Sequence, residues 1–392
     1  MAEAFFTKLL FNCTYFTLCI RLNSKQLRFP DYSFLSTVCY HYLMSILTFE
    51  EHYVPRMWGG RNLKTRYGKP IPDEAIGEAW LISDHAQHTS VVNRGAHAGR
   101  TLHELATENP ESFLGSRTSL TLHGRFPLLL KILDAQDRLS IQVHPDDAIA
   151  EALGEPDVGK TEMWHILDET PEGELYCGVS ESITEAELQQ AIRDDTIADH
   201  LNMYKAEPNA SLFINARTIH AIGEGCMIAE IQQNSDLTYR ISDWGRVDAD
   251  GNPRELHIEK SLKASKHPNI HHGAAHVLSY TENKTTVHVL CACRYFASEE
   301  IILKDTYTDT NRGSTMQLFL AKSGTLTIEV GDDSVYLKPG ESALVPAEEQ
   351  SITLHGDASA LMYYVPDMET NILAPLIEVG HSPDAIQSLI HD

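Results

Sequence analysis

Within Asp137–Leu167 (DRLSIQVHPDDAIAEALGEPDVGKTEMWHIL), polar and titratable residues recur at i and i+2 inside two apolar segments. Successive side chains of a β-strand point to opposite faces, so residues two apart share one. Gln142 and His144 therefore project together, away from Ile141 and Val143, and Lys160, Glu162 and Trp164 project together from the second segment. Imidazole, amide and carboxylate groups turned toward one interior make a poor core, because unpaired polar groups are costly to bury. They make a sensible metal site: nitrogen and carboxylate ligands suit zinc, and three protein ligands with an open position suit catalysis. A third alternating segment, Ser211–Gly225, reads as one strand and delivers His220. A lone histidine in a strand is ordinarily a hydrogen-bonded core residue. The case rests on the set His144, Glu162 and His220, with Gln142 able to add an amide oxygen.

Other polar residues stand out against apolar surroundings. Lys131 lies inside FPLLLKIL, where an ammonium is expensive unless it reaches water or an anion. Arg240 sits between Tyr239 and Ile241 in a dense polar patch running from Ser235 to Arg246. Trp58 is either core packing or the wall of a pocket. Gly154–Thr161 (GEPDVGKT) matches the phosphate-loop expression GxxxxGK[ST]. A phosphate loop, however, runs from a strand into a helix whose first amides cradle the anion. Here a helix opened by Asp146 or Asp147 and closed by Gly154 comes first, and a strand over Thr161–Leu167 follows. The match is a decoy.

The elements that must position these groups are mostly strands. Ser45–Tyr53 and Gly77–Ser83 read as strands, Pro55–Gly60 as a turn, and Leu102–Glu108 and Pro110–Leu114 as short helices. Thr184–Tyr204 has helical spacing and reads as one helix with a break, or two helices. Met227–Gln233 and Leu237–Ser242 read as strands, and His257–Ser265 as a helix. From Thr285 to Pro366 short alternating segments punctuated by Gly and Asp predict an antiparallel sandwich or barrel.

The chain has 392 residues, 31 basic against 55 acidic, a net charge of −24. That charge excludes nucleic acid and anionic membranes as partners but not a small phosphorylated ligand, which needs only a local cation cluster. The seven cysteines form no CxxC pair and read as thiols of a reducing compartment. Residues 1–43 differ from the rest: they are rich in Phe and Tyr, carry Lys8, Arg21, Lys25 and Arg28 against Glu3 and Asp31, and fit neither a secretory signal nor a membrane span. The expectation is that Met44 is the initiator and 1–43 an extension from an over-long translation.

SIQVHPD (140–146), GKTEMW (159–164), TIHAIGEG (218–225), EIQQNSDLTYRISDWGR (230–246) and RELHIEKSL (254–262) resemble the type I mannose-6-phosphate isomerases in their short bacterial form, a family similar to the cupins. Trp58-Gly-Gly60 and Gly77-Glu-Ala-Trp80 match as well. The resemblance runs from about Met44 to the C-terminus. It implies a mostly β protein with helical inserts: two cupin-like jelly-roll barrels, a catalytic one over 44–280 holding the metal, with a helical insert near 182–205, and a metal-free one over 281–392. It implies one Zn2+ per chain on Gln142, His144, Glu162 and His220. Arg240 falls on the family's essential arginine, and Trp58, Lys131, Ser140 and Lys160 fall around its substrate, with Ser140, Lys131 and Lys160 the candidates for gripping the phosphate. The implied reaction interconverts mannose 6-phosphate and fructose 6-phosphate through a cis-enediol, in the cytoplasm, with a sugar phosphate as the partner and a monomer as the default oligomeric state. The base that carries the proton is left open between Glu230, His85 and a metal-bound water.

One departure stands in the match. Where the family has Pro-Ala-Gly-Thr before the second histidine, this chain has Asn215-Ala-Arg-Thr218. Either the turn is rebuilt or Arg217 points to solvent. Should that spoil the site, the alternative is a sugar-phosphate-binding cupin without catalysis. An iron cupin dioxygenase is the other alternative, although those commonly offer three histidines and a carboxylate.

Overall fold

A six-stranded antiparallel sheet runs, in spatial order, through His52–Gly60, Ile76–Ile82, Leu128–Ala135, Cys226–Gln233, Glu162–Ile166 and Ser211–Ile214. Facing it is a five-stranded sheet of Tyr239–Ser242, Ile141–Val143, His220–Ile222, Glu174–Val179 and Leu201–Lys205. The computed structural model describes residues 46–167, 173–248, 250–269, 271, 276–309, 315–349 and 351–391, so the expectation about residues 1–43 lies outside the described residues. Alternation decides which side chains meet between the sheets. Leu133, Trp164 and Ile228 of the larger sheet pack against Leu175, Cys177 and Ile222 of the smaller. Ile141, Val143, Ala221 and Ile241 leave the smaller sheet on its far side and are covered by Leu188, Ile192 and Ala264 of two helices, Glu185–Arg193 and Ile258–Ala264.

The rest of the chain forms a seven-stranded and a four-stranded sheet around a second core containing Val287, Ile301, Phe319, Ile328, Leu354 and Met362. The two halves press together along the outer face of the six-stranded sheet: Phe213 stacks on His391 at 4.0 Å and lies 5.9 Å from Phe296. The chain is therefore mostly β with helical inserts, as expected. The barrels are open, however. The strands that carry Gln142 and His220, Ile141–Val143 and His220–Ile222, have three residues each and pair only within the five-stranded sheet.

Four local expectations change. Pro55–Gly60 is not a turn but the end of the first strand, with register shifts at Pro55 and Gly60. A Cβ on Gly59 would lie 2.4 Å from the Gly77 nitrogen, so this glycine serves close strand approach rather than chain reversal. Thr184–Tyr204 is helical only over Glu185–Arg193, capped by Thr184 and Glu187. A 3-10 turn over Ile197–His200 then leads into the edge strand Leu201–Lys205, whose alternation coincides with part of a helical pattern. Ser211–Gly225 is two strands in different sheets, joined through a turn. Within Ser45–Tyr53, Leu47 and Phe49 make isolated bridges and a strand begins only at His52. The phosphate-loop match resolves as anticipated into helix Asp147–Ala152, capped by the Asp146 carboxylate, and then strand Glu162–Ile166.

The turn before His220 takes neither course foreseen for it. Arg217 adopts φ +74°, the left-handed conformation natural to glycine, and its side chain folds back onto the protein. Nε donates to the Ala264 carbonyl at 2.9 Å, Nη1 lies 3.6 Å from the Asp146 carboxylate, and its backbone N–H donates to the His144 carbonyl at 2.7 Å. A left-handed non-glycine residue costs about 1 kcal/mol, while glycine forfeits the side-chain hydrogen bond and frees the unfolded chain by a similar amount. Arg217→Gly is thus expected to change unfolding free energy by less than about 1 kcal/mol, measured by denaturant titration.

Candidate active site

Register across the sheets builds the site. In the six-stranded sheet Trp80 pairs with Lys131, Lys131 with Glu230, and Glu230 with Trp164, which sets these four side chains in one row. In the five-stranded sheet Arg240 pairs with Gln142, and Gln142 with His220. The rows face each other across a cavity of about 280 Å³ whose walls include Trp58, Ser140, Gln142, Lys160, Glu162 and Arg240. The cavity is small by the standard of ligand pockets.

At its floor His144, Glu162 and His220 are buried, and one ligand atom of each lies within 4.8 Å of the others. His144 Nε2 is 3.1 Å from His220 Nε2 and 3.5 Å from Glu162 Oε2, and His220 Nε2 is 3.3 Å from Glu162 Oε1. His144 Nδ1 donates to the Leu237 carbonyl at 2.6 Å and His220 Nδ1 to the Thr218 carbonyl at 2.8 Å. Those bonds fix the tautomers and aim both Nε2 lone pairs at one point. Burial holds both imidazoles neutral, assisted at His144 by the Lys160 charge, with the His220 pKa near 3. Two lone pairs and a carboxylate converging without a proton between them is an arrangement that a cation satisfies. Both Glu162 oxygens are buried without a hydrogen-bond donor of good geometry, although Lys160 Nζ stands 2.8 Å from Oε2. Gln142 Nε2 sits 3.3 Å from His220 Nε2. Turning the amide over presents its oxygen to the same point.

The charged groups of the pocket are paired in a definite way. Lys160 Nζ lies between Glu162 and Glu230, at 2.8 and 3.2 Å, and these carboxylates raise its pKa although burial lowers it. Lys131 Nζ stands 3.5 Å from Glu78 and 5.1 Å over the Trp80 ring. Glu78 also accepts from Arg56 Nε at 2.5 Å and Trp80 Nε1 at 2.7 Å. Burial would raise Glu78, but Lys131 and Arg56 pull it down to about 2. Glu230 is the opposite case: burial dominates and pushes it up to about 7 against the opposing Lys160 charge.

All nine residues singled out from sequence belong to this one place: Trp58, Lys131, Ser140, Gln142, Lys160, Glu162 and Arg240 line the cavity, and His144 and His220 lie at its floor. Of the two side chains considered for proton transfer, Glu230 lines the cavity; His85 is not among its walls and is paired instead with Asp157 at 2.8 Å. Sequence reasoning missed Arg56, Asp236, Thr238 and Arg254, and gave Glu78 no role. Arg56 lies two residues before Trp58 on one strand, a relation that the turn composition of Pro55–Gly60 conceals. Arg254 lies in a loop that has no period to read.

Comparison with known proteins agrees with this geometry. The family described as phosphomannose isomerase type I, catalytic domain, matches residues 46–191, and the mannose-6-phosphate isomerase cupin domain matches residues 270–365. The Bacillus subtilis protein YvyI, assigned provisionally as a mannose-6-phosphate isomerase, is 33% identical over 316 residues, which is 79% of this chain and 96% of the relative. Mannose-6-phosphate isomerase ManA of the same organism is 38% identical over 253 residues, 64% of this chain and 77% of the relative. A crystal structure of the mannose 6-phosphate isomerase from Bacillus subtilis superposes with a TM-score of 0.75 at 30% identity, covering 81% of this chain and 99% of that one. The chain belongs to the type I phosphomannose isomerase family and is an isomerase of that family.

Proposed function

We propose that the chain interconverts mannose 6-phosphate and fructose 6-phosphate through a cis-enediol, with one Zn2+ held by Gln142, His144, Glu162 and His220. The observation that carries this reading is the convergence of two neutral imidazole Nε2 atoms and the Glu162 carboxylate, 3.1–3.5 Å apart, on the floor of a cation-lined cavity. Ligands at about 2.0–2.1 Å around a tetrahedral ion stand roughly 3.4 Å apart. Two histidines and a carboxylate also hold iron(II) in oxygenases, so elemental analysis of the purified protein decides the metal, with zinc expected from the isomerase reading. When bound, the ion acts as a Lewis acid toward the substrate oxygens on which charge develops.

The chain's own residues do the rest. Arg240, beside Gln142, is placed to stabilise the developing enediolate by charge-assisted hydrogen bonds. Lys160 and Lys131 hold the carboxylates of Glu162, Glu230 and Glu78 in place and stand where hydroxyls of a bound sugar reach them, together with Ser140. Trp58 gives the cavity an apolar wall. Glu230, facing the cavity and paired to Lys160, is the side chain placed to take the proton from C2 and return it to C1. In this reading the catalytic domain spans 44–280, and the metal-free domain over 281–392 backs the six-stranded sheet.

The test is turnover of mannose 6-phosphate by purified protein with and without a chelator. Chelation is expected to lower kcat by more than about 100-fold, with recovery on adding Zn2+. Full turnover by metal-free protein would sink the zinc reading. Absence of turnover in zinc-loaded protein would leave a binding module.

A further inference from the structure

The cations of the cavity are not equally available to a ligand. Lys131 and Lys160 are buried and committed to carboxylates. Arg56, 34% exposed, gives its Nε to Glu78, the carboxylate it shares with Lys131; Arg254 differs in being close enough to Arg240 for its charge to act there. Its side chain is 27% exposed, and it grips Asp243 with one edge only: Nε donates to Oδ2 at 2.8 Å and Nη2 donates to Oδ1. The guanidinium carries five donors in a rigid plane, so this fork leaves the Nη1 edge for whatever occupies the cavity that Arg254 lines.

The fork is itself braced. Asp243 is 5% exposed and also accepts from Arg246 Nη2 at 2.7 Å, while Arg246 Nη1 reaches the Arg138 carbonyl and, at 3.2 Å, the Asp137 carboxylate. Trp244 next to it has φ +60°, a strained conformation for a bulky side chain, and is pinned by donating Nε1–H to the Leu139 carbonyl at 2.6 Å beneath the Arg138 guanidinium. Such strain persists where the surroundings enforce it. The result is a fixed turn presenting Arg254 beside Arg240, with Asp243 the carboxylate shared by Arg246 and Arg254. Burial, and after it the Arg254 charge, lowers the Arg240 pKa, a like-charge cost that an anion relieves.

The geometry points to Arg254, oriented by Asp243, as the contact for the phosphomonoester of the substrate. This rests on the isomerase reading for the identity of the anion. Asp243 is a positioning residue and touches no substrate.

The experiment measures binding of sorbitol 6-phosphate, which carries the phosphate but no carbonyl, to the metal-loaded full chain by calorimetry, alongside kinetics on mannose 6-phosphate. Arg254→Gln is expected to weaken sorbitol 6-phosphate about 30-fold and to raise KM by a similar factor, with kcat within about threefold. Arg254→Lys keeps the Asp243 pair but presents no second edge, so it should still lose about tenfold, which preserves the test should the glutamine variant fail to fold. Asp243→Asn should fall between wild type and Arg254→Gln. Binding and KM within threefold of wild type in Arg254→Lys or Arg254→Gln would overturn the assignment, as would a loss confined to kcat. A wild-type chain that binds sorbitol 6-phosphate through Arg254 but leaves mannose 6-phosphate unchanged would keep the contact and remove the isomerase reading. Wild-type KM together with wild-type kcat in Arg254→Gln would do the reverse.

Discussion

Replacing His144 or His220 by alanine is expected to abolish metal binding and turnover together. Each histidine supplies a buried Nε2 that is within 3.5 Å of the Glu162 carboxylate and 3.1 Å from its partner's Nε2. Removing either leaves one imidazole with Glu162 and the Gln142 amide, and the described residues nearby offer no substitute: Lys160, Glu230 and Glu78 are already held in ion pairs. Activity should fall by at least about 10³-fold, since a Lewis acid contributes several kcal/mol to a transition state that develops oxyanion charge. The fold should survive. The lost ring leaves a cavity between the sheets, and part of the core stays around it, with Trp164 5.4 Å from His220. Destabilisation of about 2–4 kcal/mol is expected from the cavity and the newly unpaired carbonyl of Leu237 or Thr218. Elemental analysis of the purified variants, with circular dichroism to verify folding, checks the result. A folded His144→Ala protein that turns over substrate while holding no metal is the outcome that removes the metal from the mechanism.

Much of this site is legible in the amino-acid sequence because its logic has period two. Gln142 with His144, and Lys160 with Glu162 and Trp164, announce themselves by alternation, and the observed sheets place each set on the inner face while Ile141 and Val143 go to the helices. What alternation does not give is which strands adjoin. Glu162 and Gln142 lie in different sheets, and only the pairing of Gln142 with His220 and of Gln232 with Glu162 brings the ligand strands into place. Arg56 is hidden because Pro55–Gly60 carries turn residues in a strand, where Gly59 is required for backbone contact with Gly77. The Leu201–Lys205 strand is hidden because apolar residues three and four apart fit a helix until Asp195, at φ +55°, marks where the chain leaves one. Asp243 and Arg254 are eleven residues apart in a loop, and their fork follows from tertiary contact that no local pattern records. At Arg217 the sequence signals strain correctly, and the neighbours that hold it, Asp146 and Ala264, are remote in the chain.

Arg240→Ala is expected to separate chemistry from binding. Arg240 stands opposite Gln142 in register, so its guanidinium meets the cavity beside the proposed ligands. Nη1 donates to the Glu255 carbonyl at 2.7 Å, and Nε is buried without an acceptor. A cation with an unused buried donor is an interaction waiting for an oxyanion, and a resting sugar hydroxyl satisfies it poorly. The benefit is therefore greatest when charge has moved onto the substrate oxygens, which is the condition for lowering the barrier rather than only improving affinity. Losing one such donor typically costs about 10²–10³ in kcat, and the same range is expected here with metal content unchanged and KM moved by less than about tenfold. Lysine should recover little, because an ammonium cannot hold the Glu255 carbonyl and the substrate in the planar geometry that the guanidinium provides. Steady-state kinetics with metal analysis on both variants decide the matter. A variant that binds mannose 6-phosphate weakly but turns it over at the wild-type kcat would move Arg240 from the reacting carbons to the phosphate, beside Arg254. The two arginines are adjacent and equally charged, so only the split between kcat and KM tells their roles apart.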